Sequence, residues 1–284
     1  MGKKNLIILL LGVILSIPFS LFAETIVLKS GKQVEGKIIE DAESYIKIET
    51  VDGNSVYYNK NTIEAIKLPQ SDSLPLPFKT GLIDCLGKGY MLFIPKDISS
   101  ASPSTFLICL PGWSISAKQD INNWAFYAAK NGFIAVDLDI NYDLIRLNSD
   151  VDRLYLKISN ILTSLAEEYP VLNNKVCIAG TSAGGMMSIA LGLRYPNKFL
   201  AIGVVSGAKL SFGAENNLKS ARGQWFYMAH GLKDKSIHIS EFYSTKDQLE
   251  KNGAIIEYKV IPEGEHTLSS GAYREVIDWL SKTK

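Results

Sequence analysis

From residue 89 onward, short apolar runs alternate with amphipathic stretches, and few architectures accommodate that rhythm. Residues 89–94, 105–110, 133–137, 175–179, 199–205, 225–229 and 255–261 predict strands, the last four of them buried. Between them lie helical patterns. Residues 120–130 place Ile121, Trp124, Ala125 and Ala128 on one face, with Gly132 as the stop. Residues 150–169 carry a stripe of Val151, Leu154, Ile158, Ile161, Leu162 and Leu165, with Ser149 as the expected cap and Pro170 just past the end. A last helix carries Tyr273, Val276, Ile277 and Leu280. Strands and helices alternating at this spacing predict an α/β domain over residues 78–284, a mostly parallel sheet with helices on both faces.

The first part of the chain has a different period. Residues 24–68 alternate apolar and polar side chains, with turns at Ser30-Gly31 and Asp52-Gly53 and a mid-strand Gly36 suited to a tight bend. About five short strands curled into a small all-β barrel are expected there. The pattern resembles the Sm-like small barrels often found at the start of exported bacterial proteins. Residues 69–77, with three prolines, cannot continue a sheet and read as a linker. Residues 1–23 read as a secretory signal, with Lys3 and Lys4 before an apolar run over 6–15 and small-residue cleavage after Ala23. The alternative is an uncleaved anchor. The run is barely long enough to span, and Pro18 with two serines weakens it, so no stable membrane insertion is expected after cleavage.

Charge and cysteine usage narrow the function classes. The whole chain holds 30 Lys and Arg against 29 Asp and Glu, and residues 24–68 hold six lysines against eight acids. Neither part has the basic surplus that phosphate neutralisation requires, so nucleic-acid binding is disfavoured. Three cysteines cannot frame a disulfide scaffold, and their spacing with the three histidines suggests no structural zinc site. Neither a metal nor a cofactor is expected. Cys109 and Cys177 fall in apolar strand runs and are expected as buried thiols.

The chemistry concentrates at Gly180-Thr-Ser-Ala-Gly184, a G-x-S-x-G segment between the strand at 175–179 and a helix running to Tyr195. A strand-to-helix turn of this kind strains the serine backbone and lifts its hydroxyl above the sheet. The flanking glycines are needed because strand, turn and helix approach too closely for side chains. A serine hydroxyl is protonated at neutral pH, so it needs a base, and the base needs an orienting anion. On such a scaffold the order is serine, acid, histidine. His266 follows the last strand, in Pro262-Glu-Gly-Glu-His-Thr267, and is the candidate base. Asp234, in His230-Gly-Leu-Lys-Asp234, follows the preceding strand and is the candidate acid. His230 and His238 suit packing or pocket-edge roles, and Asp247 and Asp278 read as solvated helix charges. Two N–H donors are needed for the oxyanion: that of Ala183, and one in Leu110-Pro-Gly-Trp113. Pro111 has no N–H, so Trp113 is preferred over its rival Gly112. The Trp113 ring either walls an acyl pocket or packs in the core.

With these residues in view, residues 78–284 resemble the α/β-hydrolase superfamily. The segment from Asn173 through Gly180-Thr-Ser-Ala-Gly184 to Met187, with Arg194-Tyr-Pro-Asn-Lys-Phe199 and Val205-Ser-Gly207, is similar to the polyhydroxybutyrate depolymerase and feruloyl esterase group. That resemblance implies an exported carboxylic-ester hydrolase with nucleophile Ser182, acid Asp234 and base His266. The chain departs from the group at Pro111-Gly112, where the group shows His-Gly, and in lacking its flanking cysteines. About twenty residues between Val205 and Trp225 leave no room for a cap domain, which suits bulky or polymeric esters as well as small ones. Two other functions compete. A serine peptidase of the same fold would need an extra specificity device. A non-catalytic envelope protein would use the barrel to bind a partner and the larger domain as scaffold.

Overall fold

The computed structural model describes residues 24–41, 44–50, 54–67 and 79–283. The expected signal at 1–23 and the linker at 69–77 lie outside the described residues. The chain divides into two compact units, Met1–Pro75 and Leu76–Lys284.

The first unit contains β1 (Glu24–Leu28), β2 (Gln33–Asp41), β3 (Tyr45–Thr50), β4 (Ser55–Asn59) and β5 (Ile63–Lys67). They form one antiparallel sheet in the order β4-β3-β2-β1-β5, over a small core of Ile26, Ile46 and Ile48. Here the expectation of a barrel is corrected. Among the described residues β4 pairs only with β3 and β5 only with β1, so the sheet is not closed. It is nevertheless curled. Strands β4 and β5 sit at opposite edges, about 19 Å apart in a flat sheet, yet a single helical turn, Lys60–Thr62, joins them. That connection reaches about 14 Å at most, so the sheet must bend. Gly36 permits close packing in the bend: a Cβ there would lie 2.4 Å from the Glu49 carbonyl oxygen.

The second unit contains β6 (Gly81–Cys85), β7 (Tyr90–Ile94), β8 (Ser104–Leu110), α1 (Ala117–Lys130), β9 (Phe133–Leu138), α2 (Asn148–Glu168), β10 (Val171–Thr181) and α3 (Ala183–Arg194). It continues with β11 (Ala201–Val205), β12 (Trp225–Gly231), α4 (Ile239–Lys251), β13 (Ile255–Ile261) and α5 (Ser270–Leu280). The sheet order is β13-β12-β11-β10-β8-β9-β7-β6. Pairing is parallel from β13 through β9, and β7 runs antiparallel to both its neighbours. This is an α/β-hydrolase-type fold with a mixed sheet.

Its two faces are covered separately. Helices α1 and α5 pack over one apolar layer that includes Trp124, Cys109, Cys177 and Ile277. Helices α2, α3 and α4 cover the other, which includes Ile158, Met187, Ile189 and Phe242. Burial on both faces explains why β8 and β9 have no exposed position. Each large side chain sealed there contributes about 1.5–3 kcal/mol. Cys109 and Cys177 are both buried.

Three local details differ from the sequence expectation. Strand β6 is an additional edge strand. Strand β13, expected to be buried, is the other edge of the sheet, and Ile255, Glu257, Tyr258 and Lys259 are exposed on it. The cap of α2 is not Ser149, which lies inside the helix; the Asp150 carboxylate accepts the N–H groups of Arg146 (2.8 Å) and Leu147 (2.7 Å) instead. A carboxylate in the first turn satisfies orphan donors and favours the positive end of the helix dipole.

Candidate active site

Ser182 joins β10 to α3 with φ 54° and ψ −118°, a conformation few non-glycine residues adopt. The backbone is held there from both sides. The Ser182 N–H donates to the Val205 carbonyl at 2.9 Å, and its own carbonyl accepts the Met186 N–H at 3.1 Å. The two motif glycines make the turn possible. A Cβ on Gly180 would lie 2.3 Å from backbone atoms of Gly184, and one on Gly184 would lie 1.9 Å from the Leu110 carbonyl oxygen.

His266 lies beyond β13 and Asp234 beyond β12, at the same edge of the sheet as Ser182. The His266 ring bridges the other two: Nε2 is 2.9 Å from Ser182 Oγ, and Nδ1 is 2.8 Å from Asp234 Oδ2. An ionised carboxylate only accepts, so Nδ1 carries the proton and Nε2 is free to accept the serine hydroxyl. The three residues singled out from the sequence therefore come together. The loops that carry the acid and the histidine interlock. Leu232 N–H donates to the Ile261 carbonyl at 2.9 Å and Lys233 N–H to the Gly264 carbonyl at 2.8 Å. Gly231 and Gly264 allow the approach, since a Cβ on Gly231 would fall 2.4 Å from the Gly264 carbonyl oxygen.

Asp234 is buried. Burial alone would lift its carboxyl, but the Ile237 N–H, the His266 side chain and the Ser236 N–H outweigh it and hold the group below the usual carboxylate range. The backbone donors reach Oδ1 at 2.9 Å (Ile237) and 2.8 Å (Ser236), leaving Oδ2 for His266. Ser182 and His266 are half-buried, so the site is open to solvent.

The turn Gly112–Ile115, closed by the Ile115 N–H on the Gly112 carbonyl at 3.2 Å, places Ser114 at φ 62°. Among the described residues the N–H groups of Ala183, Trp113 and Gly112 have no intramolecular acceptor. Tyr142, not singled out from the sequence, fixes this loop by donating its hydroxyl to the Pro111 carbonyl at 2.8 Å. Its ring stands between Trp113 and Phe212, with centroid separations of 5.8 Å to each. Half of the Trp113 surface is exposed, so its ring is not a core aromatic. His238 caps α4 by accepting the Ser240 N–H at Nδ1. Asp247 approaches Lys246, and Asp278 accepts a hydrogen bond from Asn131. Among the described residues no group of three His, Cys, Asp or Glu side chains is placed to hold a metal ion.

The comparisons agree with this architecture. The phospholipase/carboxylesterase family profile matches residues 137–284, and the chain belongs to that family. Feruloyl esterase D of Neurospora crassa is 32% identical over 93 residues, which cover 33% of this chain and 31% of that protein. The match thus spans about a third of that curated relative. Among solved structures, TT1662 from Thermus thermophilus is similar with a TM-score of 0.53 at 18% identity, over 73% of this chain and 98% of that one. S-formylglutathione hydrolase from Staphylococcus aureus gives 0.52 at 15% identity, over 68% and 89%. A thermostable esterase gives 0.56 at 14% identity, over 94% and 91%. At these identities the likeness is one of fold.

Proposed function

We propose that the chain is an exported serine esterase that cleaves carboxylic esters through an acyl-enzyme. The observation that carries this reading is the His266 ring, within hydrogen-bond distance of both Ser182 and Asp234 at a strained strand-to-helix turn. Ser182 Oγ attacks the acyl carbon as its proton passes to His266 Nε2. The oxyanion is met by the N–H groups of Ala183 and Trp113. Collapse of the tetrahedral adduct expels the alcohol, which takes the proton from His266. Water, deprotonated by the same nitrogen, then attacks the acyl group; the acid leaves and Ser182 regains its proton. Asp234 keeps the imidazole in the required tautomer and stabilises its protonated form.

An open site supports access for bulky acyl or alcohol groups. Trp113, Tyr142 and Phe212 form an aromatic row starting at the oxyanion loop, and we assign the exposed Trp113 ring to the wall of the acyl site. Phe212 also lines a cavity of about 370 Å³ with Ile145, Leu147 and Val151. A larger cavity of about 510 Å³ is lined by Phe106, Val171 and Phe199, at the opposite ends of the strands from the chemistry, and plays no part in this reading. Residues 1–23 act as the export signal, residues 69–77 as a linker, and the N-terminal sheet as a spacer.

The test is hydrolysis of a panel of nitrophenyl esters of increasing acyl length, alongside peptide amides, by the purified protein and by Ser182→Ala and Asp234→Asn. Ester turnover lost in Ser182→Ala and reduced about 10⁴-fold in Asp234→Asn is expected. Faster amide than ester cleavage would favour a peptidase. Turnover retained in Ser182→Ala would remove the proposed mechanism.

A further inference from the structure

Beside the triad lies a second histidine that the proposed chemistry does not use. His230 is the penultimate residue of β12 and is completely buried. Its Nε2 is 2.9 Å from the Ile237 carbonyl oxygen and 3.4 Å from Asp234 Oδ2, the oxygen that also faces His266. A carbonyl only accepts, so Nε2 carries a proton directed at Ile237, with the Asp234 carboxylate alongside it. Among the described residues the other nitrogen, Nδ1, is buried without a hydrogen-bond partner. Protonating it would create a buried charged donor with nothing to receive it. Burial accordingly pushes the ring below the ordinary histidine range. The titratable groups acting on it are Asp234 and His266. Its packing and strand neighbours include Phe242 of α4, with ring centroids 5.3 Å apart, and Val260 of β13.

We propose that His230 is a positioning residue of the triad: its neutral ring, donating from Nε2 to the Ile237 carbonyl, pins the 234–237 turn and sets its N–H dipole 3.4 Å from Asp234 Oδ2, the oxygen that faces His266. The pinning matters because the same turn supplies the Ser236 and Ile237 N–H groups that hold Oδ1. With Ile237 held through its carbonyl by His230, its N–H stays aimed at Asp234 Oδ1, and the carboxylate cannot rotate without breaking the Ser236 and Ile237 bonds. The N–H dipole near Oδ2 weakens the pull of that oxygen on the His266 proton, and removing it strengthens that pull. Because His230 stays neutral, it never competes as a cation for the acid.

This inference rests on the esterase reading, and the experiment separates the two. The pH profile of kcat/KM on a nitrophenyl ester is measured for the wild type, His230→Phe and His230→Gln. Phenylalanine keeps the ring and removes the donor; glutamine supplies an amide N–H. In His230→Phe, kcat is expected to fall about tenfold, the value of one hydrogen bond to a charged network, with KM within twofold. The acidic limb of the profile is expected to move to higher pH by about half a unit. Glutamine is expected to restore the limb and most of kcat. An unmoved limb in His230→Phe overturns the proposal, as does an equal loss in both variants with no change of profile, the mark of a merely structural residue. Should His230→Phe fail to fold, His230→Asn, whose amide is too short to reach Ile237, is read by the same criteria. A wild type that hydrolyses no ester fails the function reading itself, and one that hydrolyses esters with an insensitive His230 fails only this inference.

Discussion

At the scale of single residues, the site depends on where side chains are missing as much as on where they are present. Gly184 supports Ser182 by allowing α3 to start against the end of β8, where the methyl of an alanine would meet the Leu110 and Pro111 carbonyls at 1.9 and 2.6 Å. Both obstacles are backbone, so relief must displace the loop that carries Trp113. Gly184→Ala is therefore expected to cost about 1–3 kcal/mol of stability, as overpacking does, and about a hundredfold or more in kcat through the disturbed oxyanion donor. Chemical denaturation and ester kinetics on the same preparation check this; an unchanged kcat would mean the loop tolerates the shift. Both motif glycines and the serine are readable in the sequence because a strand-to-helix turn imposes them, and the acid and histidine because the scaffold places them in that order after the serine. His230 and Tyr142 are not. His230 stood in the His-Gly-x-x-Asp segment that identified the acid, yet its contact with Ile237 is made by a turn whose geometry no spacing rule specifies.

At the scale of elements, the helices behind the site are tied by side chains far apart in sequence. Asp152 of α2 accepts Arg194 Nη2 of α3 at 2.7 Å and also the Tyr195 hydroxyl, while Tyr155 and Tyr195 stack with centroids 3.7 Å apart. Arg194 and Tyr195 hold the Asp152 carboxyl down to about 2. The group is ionised in the folded chain at pH values where an unfolded aspartate, titrating near pH 4, is protonated. Its contribution is thus present above about pH 4 and disappears as pH falls towards 2. More than a third of the Asp152 side chain is exposed, so solvent screening keeps the contribution near 1 kcal/mol. Asp152→Asn is expected to lower the Tm at pH 7 but not near pH 2, and equal losses at both would show that packing rather than charge is at work. The strand–helix alternation was legible because buried strands are continuously apolar. Strand β6 was missed because, at the edge of the sheet, it alternates half-buried and exposed positions over only five residues. Ser149 suits a cap by residue type alone, whereas Asp150 reaches back to two N–H groups at once.

At the scale of the whole molecule, the α/β unit contains an acidic pair that sets its response to pH. Asp137 of β9 is fully buried, and as a carboxylate neither of its oxygens meets a donor among the described residues. Burial raises it well above the carboxylate range, and the neighbouring Asp120 adds to the effect. Protonated, it donates to Asp120, which also accepts the Trp124 Nε1–H at 2.8 Å. The folded chain therefore retains a proton that the unfolded chain releases above about pH 4. Stability is full below that point and falls as pH rises towards the folded value, by up to about 1.4 kcal/mol per pH unit. Asp137→Asn removes the titration while keeping a donor towards Asp120. Its unfolding free energy is expected to vary less between pH 5 and 8 than that of the wild type; parallel curves would place the proton elsewhere. The unit's architecture was legible because one rhythm repeats along it. Closure of the N-terminal sheet was not, since alternation specifies strands and faces but leaves open whether the outermost strands meet.

The most direct measurement is peptide mass spectrometry after treatment with a fluorophosphonate, on the wild type and on His266→Ala. A single adduct on Ser182 in the wild type, formed at least a hundredfold more slowly in His266→Ala, is the predicted result. An adduct on another residue, or labelling of Ser182 at the same rate without the imidazole, would contradict the account.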